Sequence, residues 1–160
     1  MLRTRHPRGE HGSAAVEFAL VMVPLLALVF GIMQYGFYFW AMQGGADAAR
    51  QASRLASVGN PNTCADLKTR IGTAVSPVSP ASNGLQVYRT FTNPDGSKVP
   101  AASAVDIGDT VTVVVRFKSY DLNLPFVPFI DDGWVEAEAV SRVDFVPTPP
   151  DRLCDAPPTP

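Results

Sequence analysis

Residues 12–46 read G-S-A-A-V-E-F-A-L-V-M-V-P-L-L-A-L-V-F-G-I-M-Q-Y-G-F-Y-F-W-A-M-Q-G-G-A. From Phe18 to Ala46 there are 29 residues without one charge. About 20 apolar residues let a helix cross a bilayer core, so the run predicts a transmembrane helix. Pro24 predicts a kink inside it, because proline removes an N–H and crowds the preceding turn. Tyr35, Phe37, Tyr38, Phe39 and Trp40 gather at the far end, where aromatic rings favour a membrane–water interface. Arg3, Arg5 and Arg8 lie in the leader against a single acid there, Glu10, while Asp47, Arg50 and Arg54 follow the run. The basic bias puts the N-terminus in the cytoplasm and everything after the helix on the exported side. A removable secretory signal has an apolar region of about 7–15 residues. This run is much longer and has an acid, Glu17, at its start, so it reads as an anchor.

Outside that run the composition changes twice. The chain has 160 residues, 13 basic and 15 acidic, for a formal charge of -2. Nucleic-acid binding would need a basic patch, so no nucleic-acid partner is expected. Six of the 15 prolines follow Phe145, in a tail from Pro147 to Pro160 that cannot build a core and reads as extended or disordered. Both histidines, His6 and His11, lie before the apolar run. A Ser-His-Asp or Cys-His mechanism is therefore excluded from the part after it. Two cysteines and no imidazole fall short of a zinc site, and no glycine-rich phosphate loop is present. No cofactor and no metal are expected.

Glu17 is the most unusual residue of the run, since a carboxylate at the root of an apolar helix needs water or a partner. It can reach back to nearby headgroups, or it can meet a cation of another chain. The surrounding G-S-A-A-V-E-F places Gly12 five residues before it, after a short basic leader. This arrangement is similar to a class III prepilin signal. Residues from about Gly9 to Arg54 resemble the TadE-like segment of the tight adherence (Tad) pilus assembly family. The likeness is carried by R-G-E-H-G, A-A-V-E-F-A-L-V, Pro24 with its two leucines, Phe30-Gly31 and A-D-A-A-R-Q-A-S-R. The resemblance implies that a prepilin peptidase cuts between Gly12 and Ser13 on the cytoplasmic side. Glu17, with Phe18 beside it, would then serve assembly by attracting the new amino group of a neighbouring subunit. Major Tad pilins are very short and usually carry tyrosine after the glutamate. Phe18 and the large following domain therefore favour a minor pilin or pseudopilin.

The helical pattern continues to about Val58. Ala41, Gly45, Ala48, Ala52 and Ala56 put small side chains on one face, open either to the chain's own sheet or to another helix. Gly44-Gly45 reads as a flexible joint just outside the bilayer. Gly59-Asn60-Pro61-Asn62 ends the helix. Thr63 to Val75 predicts a second helix with Thr63 as N-cap and Leu67, Ile71 and Val75 on one face. Ser76 to Asn83 is a Pro/Ser loop. Leu85, Val87, Arg89 and Phe91 alternate as in a strand, and Asn93-Pro94-Asp95-Gly96 reads as a turn rather than a calcium loop. Thr110–Tyr120 and Trp134–Val146 are the strongest strands. They are expected to pair antiparallel with Lys118 opposite Glu136, Arg116 opposite Glu138, Val114 opposite Val140, Val111 opposite Val143 and Phe117 opposite Ala137. The apolar connection from Asp121 to Gly133 can cover the core, dip into the membrane surface, or meet a partner. Cys64 and Cys154, both on the exported side, favour one disulfide over free thiols or an intermolecular bridge.

The fold expected is α+β and pilin-like, with a long N-terminal transmembrane helix extending into a small exported domain that has an antiparallel sheet. Its parts are a cytoplasmic leader (1–12), the transmembrane and extended helix (13–58), the exported domain (59–146) and the proline-rich tail (147–160). The expected role is structural: a single-pass inner-membrane minor pilin or pseudopilin helping to assemble a Tad-type pilus. Its partners would be the prepilin peptidase, other pilins or pseudopilins, Tad inner-membrane assembly proteins and the lipid bilayer. An alternative is an unprocessed, membrane-anchored adhesin or binding module. Asp131, Asp132, Glu136 and Glu138 could be offered for a hydrolase, but alternating acids on a strand read first as a solvated face.

Overall fold

In the computed structural model, helix α1 runs unbroken from Glu10 to Ser57, and the residues described are 10–61, 63–80, 84–100, 104–124, 130–146 and 154. The basic leader to Gly9, residues 81–83 of the Pro/Ser loop, Pro125–Phe129 of the apolar connection and the tail apart from Cys154 lie outside them. α1 continues through Pro24. It changes character at Gln34. From Val16 to Met33 the large apolar side chains are exposed, whereas Gln34, Tyr38, Ala41, Ala48, Ala52 and Ala56 are buried. The spacing of three and four keeps the buried set on one stripe. The N-terminal part of α1 is thus apolar all round and long enough to cross a membrane, as a single-pass anchor would be. The C-terminal part is one layer of a small domain.

Glycine ends α1 for a backbone reason. Gly59 has φ +68°, its N–H donates to the Ala56 carbonyl at 3.0 Å, and the Asn60 N–H donates to the Leu55 carbonyl at 2.9 Å. This pair of bonds is the Schellman arrangement, which needs a left-handed residue. α2, Cys64–Val75, begins at Thr63, whose Oγ1 accepts the Asp66 N–H at 3.1 Å. Leu67, Ile71 and Val75 turn inward, as their spacing predicts.

The sheet has three antiparallel strands in the order β1 (Gln86–Thr92), β2 (Thr110–Lys118) and β3 (Trp134–Arg142). Val111, Val113, Val115 and Phe117 are fully buried on the face toward α1, joined by Val87, Phe91, Val135 and Ala139. The small-residue stripe therefore packs on the chain's own sheet in a pilin-like α+β layout. Each large apolar side chain buried there contributes about 1.5–3 kcal/mol.

Two expectations are corrected. The β2–β3 register is shifted by two residues: Arg116 faces Glu136, Lys118 faces Trp134, Phe117 faces Val135, Val114 faces Glu138, Val111 faces Ser141 and Val140 faces Thr112. An even shift keeps every side chain on its face, so burial alone does not separate the two registers. The observed one puts the Trp134 ring 4.8 Å from the Arg116 guanidinium carbon and 5.3 Å from Lys118 Nζ. It also lets the ladder run on at both ends, with Ser119 N–H to Gly133 O at 2.8 Å and Val143 N–H to Asp109 O at 2.7 Å. These gains exceed the exposed ion pairs on which the expected register rested. The second correction concerns Gly44-Gly45, which is no joint. α1 is continuous there, and a Cβ would lie 2.9 Å from Val78 at Gly44 and 2.9 Å from Phe117 at Gly45. The glycines let the loop after α2 and the sheet approach the helix backbone.

Candidate functional site

Gly12, Ser13, Glu17 and Phe18 all lie near the N-terminal end of α1 and are exposed. Five residues of helix separate Gly12 from Glu17 by about 7.5 Å along the axis. A Cβ added at Gly12 meets nothing within 4 Å. Packing among the described residues therefore gives no reason for a glycine at this position. Val16 and Phe18 flank Glu17 with 67% and 65% of their surface exposed. The end of α1 at Ser57 is about 60 Å along the axis from Glu17.

Where the bare helix meets the domain, a polar clasp closes. Gln34 is 1% exposed. Its Nε2 donates to the Tyr120 carbonyl at 3.2 Å and its Oε1 accepts the Leu122 N–H at 2.8 Å. One turn on, the Tyr38 hydroxyl donates to the Trp134 carbonyl at 3.4 Å. The Gln34 amide thereby satisfies two backbone groups of the segment after β2, which would otherwise be costly beside an apolar helix. Sequence reasoning missed this. The available signal was that Gln34 is the first amide in the uncharged run; its partners lie 86 and 88 residues away.

At the other end of the domain, Cys64 at the start of α2 is bonded to Cys154, 90 positions later in sequence, with Cα atoms 5.5 Å apart. The Cys154 N–H donates to the Arg89 carbonyl at 3.1 Å, so this point of the tail lies against the free edge of β1. Arg89 alternates with Val87 and Phe91 along β1 and, like them, is buried, at 1% exposure. Its guanidinium donates to the Pro61 carbonyl at 2.9 Å. The structure thus brings Gly12, Ser13, Glu17 and Phe18 together at one end and the two cysteines together at the other.

An apolar shaft with a carboxylate near its root thus runs into a small domain as one continuous helix. Residues 12–54 match the family model of the TadE-like protein. The TadE-like match takes in the exposed shaft, the clasp residue Gln34 and most of the small-residue stripe, a little over a quarter of the chain. It stops before α2 and the sheet. No match was found among curated proteins or among solved structures.

Proposed function

We propose that this protein is a membrane-anchored minor pilin or pseudopilin that takes part in assembling a Tad-type pilus. The observation that carries the reading is Gly12: a helical glycine that neither packing nor backbone geometry requires, five residues before Glu17 at the root of an exposed apolar helix. A prepilin peptidase acting on the cytoplasmic side would cut between Gly12 and Ser13. The mature chain would cross the inner membrane once, with its domain exported. From Ser13 to Met33 the remaining bare helix is about 32 Å long, close to the hydrocarbon thickness of about 30 Å. Glu17 would then lie a few ångströms inside the apolar layer, where a carboxylate favours a cationic partner such as a neighbouring subunit's new amino group. The role is structural, with no catalytic step of its own.

The test is the N-terminal residue of the protein purified from its native membrane. Ser13 is expected, and an intact 1–12 leader in cells with an active prepilin peptidase would refute the processing. Glu17→Ala separates anchoring from assembly: membrane insertion persists while incorporation with other pilin-like subunits falls. Unchanged assembly in that strain would remove the role given to Glu17.

A further inference from the structure

We infer that the segment after β2 is a second membrane contact, which seats the exported domain on the surface of the bilayer that α1 crosses. The argument begins with where the helix stops being bare. Every large apolar side chain from Val16 to Met33 that the structure shows is exposed, and the first buried residue along the helix is the polar Gln34. A hydrocarbon layer about 30 Å thick is filled by about 20 residues of helix, so the layer ends where the domain begins. Tyr120 and Leu122 are held at this level by the Gln34 amide, at 3.2 and 2.8 Å. Side chains on a helix lean toward its N-terminus, so the clasp lies lower still than the Gln34 Cα, toward the apolar layer.

What the clasp presents there is apolar and partly exposed. Leu122 keeps 41% of its surface exposed, Tyr120 37% and Phe37 37%, and the Phe37 and Tyr120 rings are 6.3 Å apart. Trp40, 47% exposed, stands two turns above Met33 on the same shaft. Amphipathic rings and a leucine at this depth match the interfacial zone of a bilayer, continuous with the layer that covers Val16 to Met33. The turn itself is closed internally, with Asp121 Oδ1 accepting the Asn123 N–H at 2.8 Å. Asp121 is acidic and exposed, so the contact is made by apolar and aromatic surface and not by attraction to anionic headgroups.

The experiment uses the full chain in phosphatidylcholine vesicles, with the native cystine left oxidised. Leu122→Cys, Val140→Cys and Leu28→Cys are each labelled with an environment-sensitive fluorophore and exposed to nitroxide-bearing lipids. Position 28 reports whether α1 spans. Position 140, 57% exposed on the sheet face away from α1, reports a solvent-facing site. The expected result is a blue shift and loss of emission at 122 with nitroxide near the headgroup, deep quenching at 28, and neither at 140. Quenching at 28 with position 122 as aqueous as 140 would overturn the proposal and leave the anchor reading intact. That outcome would assign the patch to a protein partner. The proposal depends on the helix crossing the bilayer and not on pilus assembly, so a failure of the processing test does not touch it.

Discussion

At Gly12 the helix leaves room for a side chain, and at Gly45 it does not. Replacing each tests a different thing. Gly12→Leu is expected to leave the stability of the C-terminal domain within about 0.5 kcal/mol, as for a surface change, while abolishing the proposed cut before Ser13. N-terminal sequencing and denaturant melts of the purified protein read the two effects separately. Gly45→Val drives a branched side chain into Phe117, whose ring carbon is already 2.9 Å from a built Cβ. A loss of about 1–3 kcal/mol follows from overpacking. Unchanged unfolding of that variant in detergent would show that the sheet is not held so closely. Asp95 offers a pH test well away from the membrane helix. The Ser97 hydroxyl and then the Ser97 N–H donate to its carboxylate at 2.6 and 2.8 Å, which lowers its pKa below the ordinary 3.8. A lowered folded-state pKa stabilises the turn above the unfolded value, and the effect is lost as pH falls through the folded one. In an NMR titration Asp95 should titrate below 3.8, and Ser97→Ala should bring it up. A midpoint unmoved by Ser97→Ala would contradict the assignment.

Among the elements, α1, α2 and all three strands follow from periodicity and turn residues. The span, the Thr63 cap and the inward faces were legible because each depends on neighbours in sequence. The β2–β3 register was not. The two candidate pairings differ by an even step, and the exposed charges that seemed to choose between them are worth only about 0.2–1 kcal/mol per pair. Arg116 and Glu136 do approach, at 4.0 Å, but both are substantially exposed. The deciding contact is Trp134 against two cations, visible only once the strands are laid side by side. Trp134→Ala is therefore expected to destabilise the domain more than Glu136→Gln, by about 0.5–1 kcal/mol from the ring–cation contacts alone. Equal losses in chemical denaturation would reverse that ranking. Gly44-Gly45 misled for a related reason: a glycine pair signals either a bend or a close approach, and only the positions of Val78 and Phe117 decide. At the candidate site, the spacing of Gly12 and Glu17 could be read directly. The clasp at Gln34 could not, because its partners belong to a segment more than eighty residues away.

At the scale of the molecule, the domain is tied at both ends, by the Gln34 clasp below and by the Cys64–Cys154 link above. The cystine closes a loop of 90 residues, and in the chain-entropy account such a crosslink contributes about 2–5 kcal/mol. Cys154→Ser should lower the urea midpoint accordingly and release the backbone bond to Arg89, seen as faster amide exchange at residue 154. An unchanged midpoint would show that the tail adds nothing to the fold. The continuity of α1 has a mechanical meaning as well. One continuous helix is both the bare apolar shaft and the spine of the domain. Tension applied along that rod from the membrane side loads the interface between its small-residue stripe and the sheet in shear, so the contacts resist together instead of peeling one by one. Pulled between Ser13 and the tip of the Asn93–Gly96 turn, single molecules should yield in one high-force step. A soft extension before that step would mean that the rod bends at Gly44-Gly45 under tension, and that the domain hangs from the membrane by a tether.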